Sequence, residues 1–301
     1  MGIPETRKAF AEGGLPDQAR ARIEALRNDP RRFFTTTFTV AEMAIARLAG
    51  YEPIAQVMGS SIYHVGWSSL VGFGGGELDA VTHAKRHARW LALSRLEEEA
   101  TLLGASAVIG VVLEIHDYPW SGELSEFTAV GTAVRTSGAI PERPALTNLT
   151  VQQLYKLELA GLWPVGIAMG NCTFYGRHAD CRSDGSWFNQ ELPEHTRIID
   201  QARSLATARF KGEVSQMNAL GAVNVEVKRH FDERHWEANK TEHTSFKAEV
   251  VLLGTAILRR KEATLPRPRL VLDLCGGLGD RKVDLNLPAT GDSSPSAKKE
   301  A

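Results

Sequence analysis

The feature that most constrains this chain is that part of it occurs twice. From Thr39 to Gly59, eight of 21 residues are identical to those found 111 positions later, from Thr150 to Gly170. Chance pairing at average residue usage would give about one or two. Leu103-Gly104-Ala105 then aligns with Leu220-Gly221-Ala222, and Gly131-Thr132-Ala133 with Gly254-Thr255-Ala256, in the same order. The offsets run 111, 117 and 123, which implies two six-residue insertions in the second copy. A chain of 301 residues has room for two domains. The repeat divides it into a polar, helix-prone arm (1–32), copy one (33–140), a link (141–144), copy two (145–261) and a tail (262–301).

Matched positions predict matched elements. Thr39-x-x-Glu42 and Thr150-x-x-Gln153 are capping boxes, in which two side chains satisfy N–H groups that a helix start leaves without partners. Gly50 and Gly161 suit the left-handed residue that ends such a helix, with Pro53 and Pro164 just behind. Extended stretches rich in Val, Ile and aromatics follow at 54–65 and 165–175. Helical spacing then links Ala84, Ala88, Ala92, Leu96, Ala100 and Leu103 in copy one, and Ile199, Ala202, Ala206, Phe210, Val214, Met217 and Leu220 in copy two, with Gly104 and Gly221 as C-caps. Strands over 107–118 and 126–135, and over 223–229 and 245–258, complete each copy. The fold class is α+β, with one long helix covering a small antiparallel sheet in each of two tandem copies. Sheets this small have open edges, which favour symmetric pairing into a homo-oligomer.

Composition narrows the function classes. A net charge of −1 gives no basic excess for general nucleic-acid binding. Three cysteines make no disulfide framework, which fits a reducing cytoplasm. The most apolar stretch, Ala105–Leu113, is about half a membrane span, and the N-terminus lacks the apolar core of a signal peptide.

Three motifs carry possible chemistry. The tail run from Val271 to Gly279 is similar to the first motif of S-adenosylmethionine-dependent methyltransferases, but only 22 residues follow it and no nucleotide-binding domain precedes it. An edge strand over Arg269–Leu274 ending in a glycine turn, before a compositionally disordered end, is the plainer reading. The run Gly72–Gly76 precedes the first long helix, where backbone N–H groups can cradle an anion or nucleotide. Gly74, Gly75, Gly76, His83 and His87 are the ligand-binding candidates of that alternative, enzymatic reading. Against it, Glu77 breaks the G-x-G-x-x-G pattern, and a flexible connector is the plainer reading of the run. His83 and His87 stand one helical turn apart, a spacing for metal sharing or for an exposed stripe beside Trp90. In copy two, Cys172, His178, Cys181, His230, His235 and His243 are candidate ligands for a divalent metal such as zinc. Their C-x5-H-x2-C spacing is not a standard zinc pattern, and Cys172, at the place of Ser61, also suits a small buried residue.

Taken together, His87-Ala88-Arg89, Leu96-Glu97-Glu98-Glu99-Ala100, the run from Leu103-Gly104-Ala105 to Val111, Glu126-Phe127 and Gly131-Thr132-Ala133-Val134 resemble the YbjQ-like family, which is labelled heavy-metal-binding. The resemblance covers about residues 35–135 well and 147–258 more faintly. It implies a small α+β unit related to the dodecin-like arrangement, assembling into rings, typically pentamers. It carries no ligand set onto particular residues. Copy two departs from the pattern: Asn224 and Glu226 interrupt its AVIGV-like strand, and Gly212 lies within its long helix. The function expected is that of a non-enzymatic, ring-forming cytoplasmic protein that binds a metal ion or small ligand.

Overall fold

A computed structural model describes residues 14–29, 34–64, 75–117, 124–136, 141–178, 191–238 and 241–260. Expectations that fall on Gly72–Gly74, on Cys181 and on the tail, including the methyltransferase-like run and the Arg269–Leu274 strand, lie outside these residues. The elements in chain order are α1 (Asp17–Arg27), α2 (Val40–Ala49), β1 (Glu52–His64), β2 (Gly76–Glu77), α3 (Asp79–Leu102), β3 (Ala107–Asp117), β4 (Leu124–Arg135), β5 (Ala145–Leu146), α4 (Val151–Leu159), β6 (Leu162–His178), α5 (Pro193–Gln216), β7 (Gly221–Ala238) and β8 (Thr241–Arg259). Among the described residues the fold is α+β, with five helices and two sheets of four strands.

Both short helices begin as their sequences require. The Thr39 and Thr150 side chains accept from the Glu42 and Gln153 backbone N–H, and each partner side chain reaches back to the cap. Gly50 and Gly161 follow at φ 73° and 76°, where a Cβ would be strained.

Sheet one runs β1-β4-β3-β5 and sheet two β2-β6-β8-β7. In each, three long strands pair antiparallel and a two-residue strand from the other half of the chain covers an edge. Gly76–Glu77 pairs with Phe174 and Tyr175 of β6, and Ala145–Leu146 pairs parallel with Ala107 and Val108 of β3. Among the described residues, β1 and β7 are the long strands that stand outermost in their sheets.

The long helices cover matched faces. Ala88, Ala92, Leu96 and Ala100 of α3 pack with Ala55, Val57, Phe127 and Ala129 of sheet one. Ile198, Ala202, Ala206 and Phe210 of α5 pack with Ala168, Cys172, Ala248, Val250 and Leu252 of sheet two. The alanines let helix and sheet approach closely, and so do two glycines. A Cβ on Gly59 would strike the Ala92 carbonyl and Leu96 nitrogen, and one on Gly170 the Ala206 carbonyl and Phe210 nitrogen.

Recurring bonds fix the correspondence between halves. The Met58 and Met169 N–H groups donate to Glu99 and Glu213 (3.0 and 2.7 Å). Arg95 and Arg209 donate to the Ser60 and Asn171 carbonyls (2.5 and 2.9 Å). The Thr37 and Asn148 N–H groups donate to the Thr132 and Thr255 hydroxyls (2.9 and 3.1 Å). The offsets are therefore 111 in the first strand, 114 in the long helix and 123 in the last strand. This corrects the sequence alignment in its middle. Helix α5 ends at Gln216, and Asn218 at φ 51° takes the left-handed place of Gly104 at φ 68°. Gly221 is not a C-cap but the first residue of β7, and Leu220 is exposed rather than a helical core position. Asn224, also at φ 51°, likewise stands for Gly110 at a strand irregularity. Asn is the side chain that tolerates this conformation best after Gly, so a search for repeated glycines slips by three residues here. The insertions are three residues before α5 and nine in the β7–β8 hairpin.

Candidate assembly interface

Strand alternation gives sheet two a second buried face. Ala248, Val250 and Leu252 turn toward α5, so Glu249, Val251 and Leu253 turn the other way, and all three are buried. What covers them is α3, the helix of the first half. Leu93 of α3 shares a core with Ile167, Met169 and Leu253. The Thr82 hydroxyl accepts from the Thr173 N–H (3.0 Å), its carbonyl accepts from the Asn171 side chain (3.0 Å), and the Leu78 N–H donates to the Thr173 carbonyl (2.8 Å). The layers therefore run sheet one, α3, sheet two, α5.

A buried charge cluster lies in this joint. Lys85 and Arg89, one turn apart on α3, both donate to the Glu249 carboxylate, Arg89 at 2.5 Å. Arg89 is fully buried, and its guanidinium lies 5.1 Å from the centroid of the Phe127 ring. Burial alone would raise the Glu249 carboxyl, but the two cations hold it down at about 2. The sequence signal was present: Glu249 is the one charge inside the apolar run Ala248–Leu253. At the joint's edge, Arg86 reaches Glu213 of α5.

The second half contributes a matching contact. Leu149, Val151 and Leu154, at and before α4, are buried against Ala107, Ile109 and Val134 of sheet one. The Gly110 and Val111 N–H groups donate to the Leu149 and Thr147 carbonyls. The joint is heterologous: each half presents a different surface to the other.

The glycine run ends inside this joint. Gly75 is an exposed bend and Gly76 enters β2. The Glu77 carboxylate that follows is held by Arg209 (Nη2–Oε2 2.9 Å). Gly75 and Gly76 lie outside four grooves among the described residues. His83 and His87 lie apart from them, exposed on α3 along a groove of about 670 Å³ with Arg86, Trp90, Val165 and Met217. His87 stacks on Trp90 there, with ring centroids 6.1 Å apart.

The cysteine and histidine candidates separate. Cys172 is fully buried, and its thiol donates to Glu77 (3.5 Å). Burial first, and the Glu77 charge second, push that thiol up to about 12, as befits a core group bonded to Glu77. It lies six residues along β6 from His178, about 20 Å. His230 is exposed opposite Glu249. The backbones of His178 and His235 do converge, flanking Thr244 from β6 and β7, with His243 next in sequence. Among the described residues, no group of three or more His, Cys, Asp or Glu is placed to hold a metal. No helix among them is long and apolar enough to cross a membrane.

Comparison with known proteins adds two findings. The model of a family described as "Putative heavy-metal-binding", YbjQ, matches residues 33–137. The encapsulin nanocompartment protein Rv1762c of Mycobacterium tuberculosis (strain ATCC 25618 / H37Rv) is 34% identical over 251 residues, covering 80% of this chain and 92% of that protein. The second likeness therefore extends well beyond the first half. No solved structure matches the chain.

Proposed function

The chain belongs to the YbjQ-like family, and from that premise we propose that it is a non-enzymatic, cytoplasmic protein whose work is self-assembly into a closed ring or shell. One observation carries this reading: the two halves, read as two related domains over 33–140 and 145–261, bury a heterologous joint against each other, and a heterologous joint can be repeated. The curated relative is named for a nanocompartment, which agrees with an assembling role. Each chain supplies two successive positions, so a closed ring holds an even number of them. A five-membered ring of positions cannot be built from whole chains, whereas five chains make ten.

Native mass spectrometry of the full chain, with negative-stain imaging, tests the proposal. Closed assemblies of several chains are expected; a monomer at micromolar concentration would refute it.

A metal-binding second reading is favoured by one observation, the convergence of the His178 and His235 backbones on Thr244 beside His243. Cys172 does not join them, because it lies six residues along β6 from His178 and its thiol is engaged with Glu77. Elemental analysis of untagged protein would find metal that His235→Ala loses and Cys172→Ser keeps. Metal-free folded protein ends this reading without touching the first.

A further inference from the structure

The joint inside the chain buries specific residues, and each has a counterpart at one of the chain's two ends. On α4 Val151 is 0% exposed, while its counterpart on α2, Val40, is 89% exposed. On sheet two Met169 is 6% exposed, whereas Met58 on sheet one is 49%. Leu78, just before α3, is 7% exposed and Leu192, just before α5, is 46%. Arg89 is buried and Arg203, at the same place on α5, is exposed. Glu126 stands on β4 where Glu249 stands on β8, turned away from the core that holds Phe127 and Ala129. Edges follow the same rule: β3 is covered by Ala145–Leu146, and the counterparts are the β7 edge at Gly221–Ala222 and the segment Phe34–Thr35.

These surfaces divide into two sets. One end of the chain carries the uncovered face of sheet one, Val40 and Phe34–Thr35. The other carries the outer face of α5, with Leu192 and Arg203, and the β7 edge. Each set is the counterpart of one side of the internal joint, so the two are complementary to each other and neither is complementary to itself. The occupant of each end is therefore a second copy of this chain.

We infer that copies join head to tail. Helix α5 of one copy seats on the uncovered face of sheet one of the next, with Arg203 on Glu126 as Arg89 is on Glu249. Phe34–Thr35 of that next copy adds a parallel strand to the β7 edge of the first. The joint between chains is not identical to the one within. Ile199 stands for Lys85, so one cation is lost from the cluster, and Asp200 stands for Arg86. The contact between chains is correspondingly the weaker of the two. The repeat of one heterologous contact closes as a ring or continues as a filament.

This rests on the self-assembly reading, and the experiment separates the two. Native mass spectrometry and light scattering are run on the wild type, Arg203→Glu, Glu126→Arg, the double variant, and Val40→Asp at the second contact. Oligomeric wild type, at least a tenfold higher dissociation concentration for each single variant, and restored assembly in the double swap are expected. Circular dichroism confirms that each variant is folded, which exposed positions such as Val40 permit. An oligomer unmoved by all three single variants overturns the head-to-tail joint while leaving self-assembly standing. Loss without restoration in the double swap overturns the Arg203–Glu126 pairing. A monomeric wild type overturns the self-assembly reading itself.

Discussion

The two long helices are built alike and used differently. Each has 24 residues, approaches its sheet through a glycine, and sends one carboxylate to a strand N–H and one guanidinium to a strand carbonyl. Yet α3 is buried on two faces and carries Lys85 and Arg89 into the interior, while α5 keeps Asp200, Arg203 and Ser204 exposed. The local hydrogen bonds define the unit, and the second face of the helix records whether it has a neighbour. The same backbone plan therefore acts as core in one half and as rim in the other.

The largest effect that separates the two faces is at the acids they meet. Glu249→Ala leaves two cations buried without their anion, and breaking a buried pair in this way costs about 3–5 kcal/mol. Glu126→Ala, at the half-buried counterpart, costs about 0–1 kcal/mol in dilute monomer, the range of exposed pairs. Urea unfolding of both variants checks the contrast, and equal losses would erase the distinction between core and rim.

The cluster also sets a pH response. The Glu249 carboxyl sits at about 2 in the folded chain, against an ordinary value of 4.5. A depressed folded pKa contributes stability that is fully present above the unfolded value and is lost as pH falls from about 4.5 toward 2. The gap in urea midpoint between wild type and Glu249→Gln should therefore be widest near neutrality and narrow below pH 4.5. A gap that stays constant down to pH 3 would show that the carboxylate's charge is not what holds the joint.

The close approaches come next in size. Gly59→Ala and Gly170→Ala each force a helix backbone away from its sheet, an overpacking cost of about 1–3 kcal/mol. Thermal unfolding should show similar losses in both, because the collisions are with matched backbone atoms. A tolerated substitution in one half alone would mean that the helix–sheet contact is not the shared element.

The sequence made the elements legible because caps and periodicity are local. Thr39, Thr150, Gly50 and Gly161 act within a few residues of themselves, and the structure places each as its spacing requires. Two things escaped. The left-handed positions after and beyond α5 are filled by Asn218 and Asn224, so the repeat of Leu-Gly-Ala pointed to the wrong register. The joint between halves escaped because its partners are far apart in the chain: Lys85 and Glu249 are separated by 164 residues, and no local pattern links an acid in a strand to a pair of cations on another unit's helix. Of the candidate site residues, His83 and His87 share a groove that Gly75 and Gly76 do not line, Gly76 is tied into β2, and Cys172 is satisfied by Glu77.

The smallest effect is at the capping boxes, and it sharpens the comparison most finely. Thr39→Ala and Thr150→Ala each remove one side-chain acceptor from a helix start, about 1 kcal/mol. The bonds are the same, with 3.3 Å from the Glu42 and Gln153 N–H groups. Their surroundings are not, since Val151 beside one cap is buried in the internal joint and Val40 beside the other is exposed. Helix α4 is held by the joint whatever its cap does, so Thr150→Ala should lower the global unfolding midpoint without freeing α4 by itself. Helix α2 is docked only on its inner side, so Thr39→Ala should raise hydrogen exchange locally over 40–43. In an assembled sample that local increase should shrink, because the neighbouring copy would cover Val40 as the internal joint covers Val151. Exchange at 40–43 that is equally fast in monomer and oligomer would mean that this end of the chain stays uncovered, and the likeness between inner and outer joints would stop at the helices.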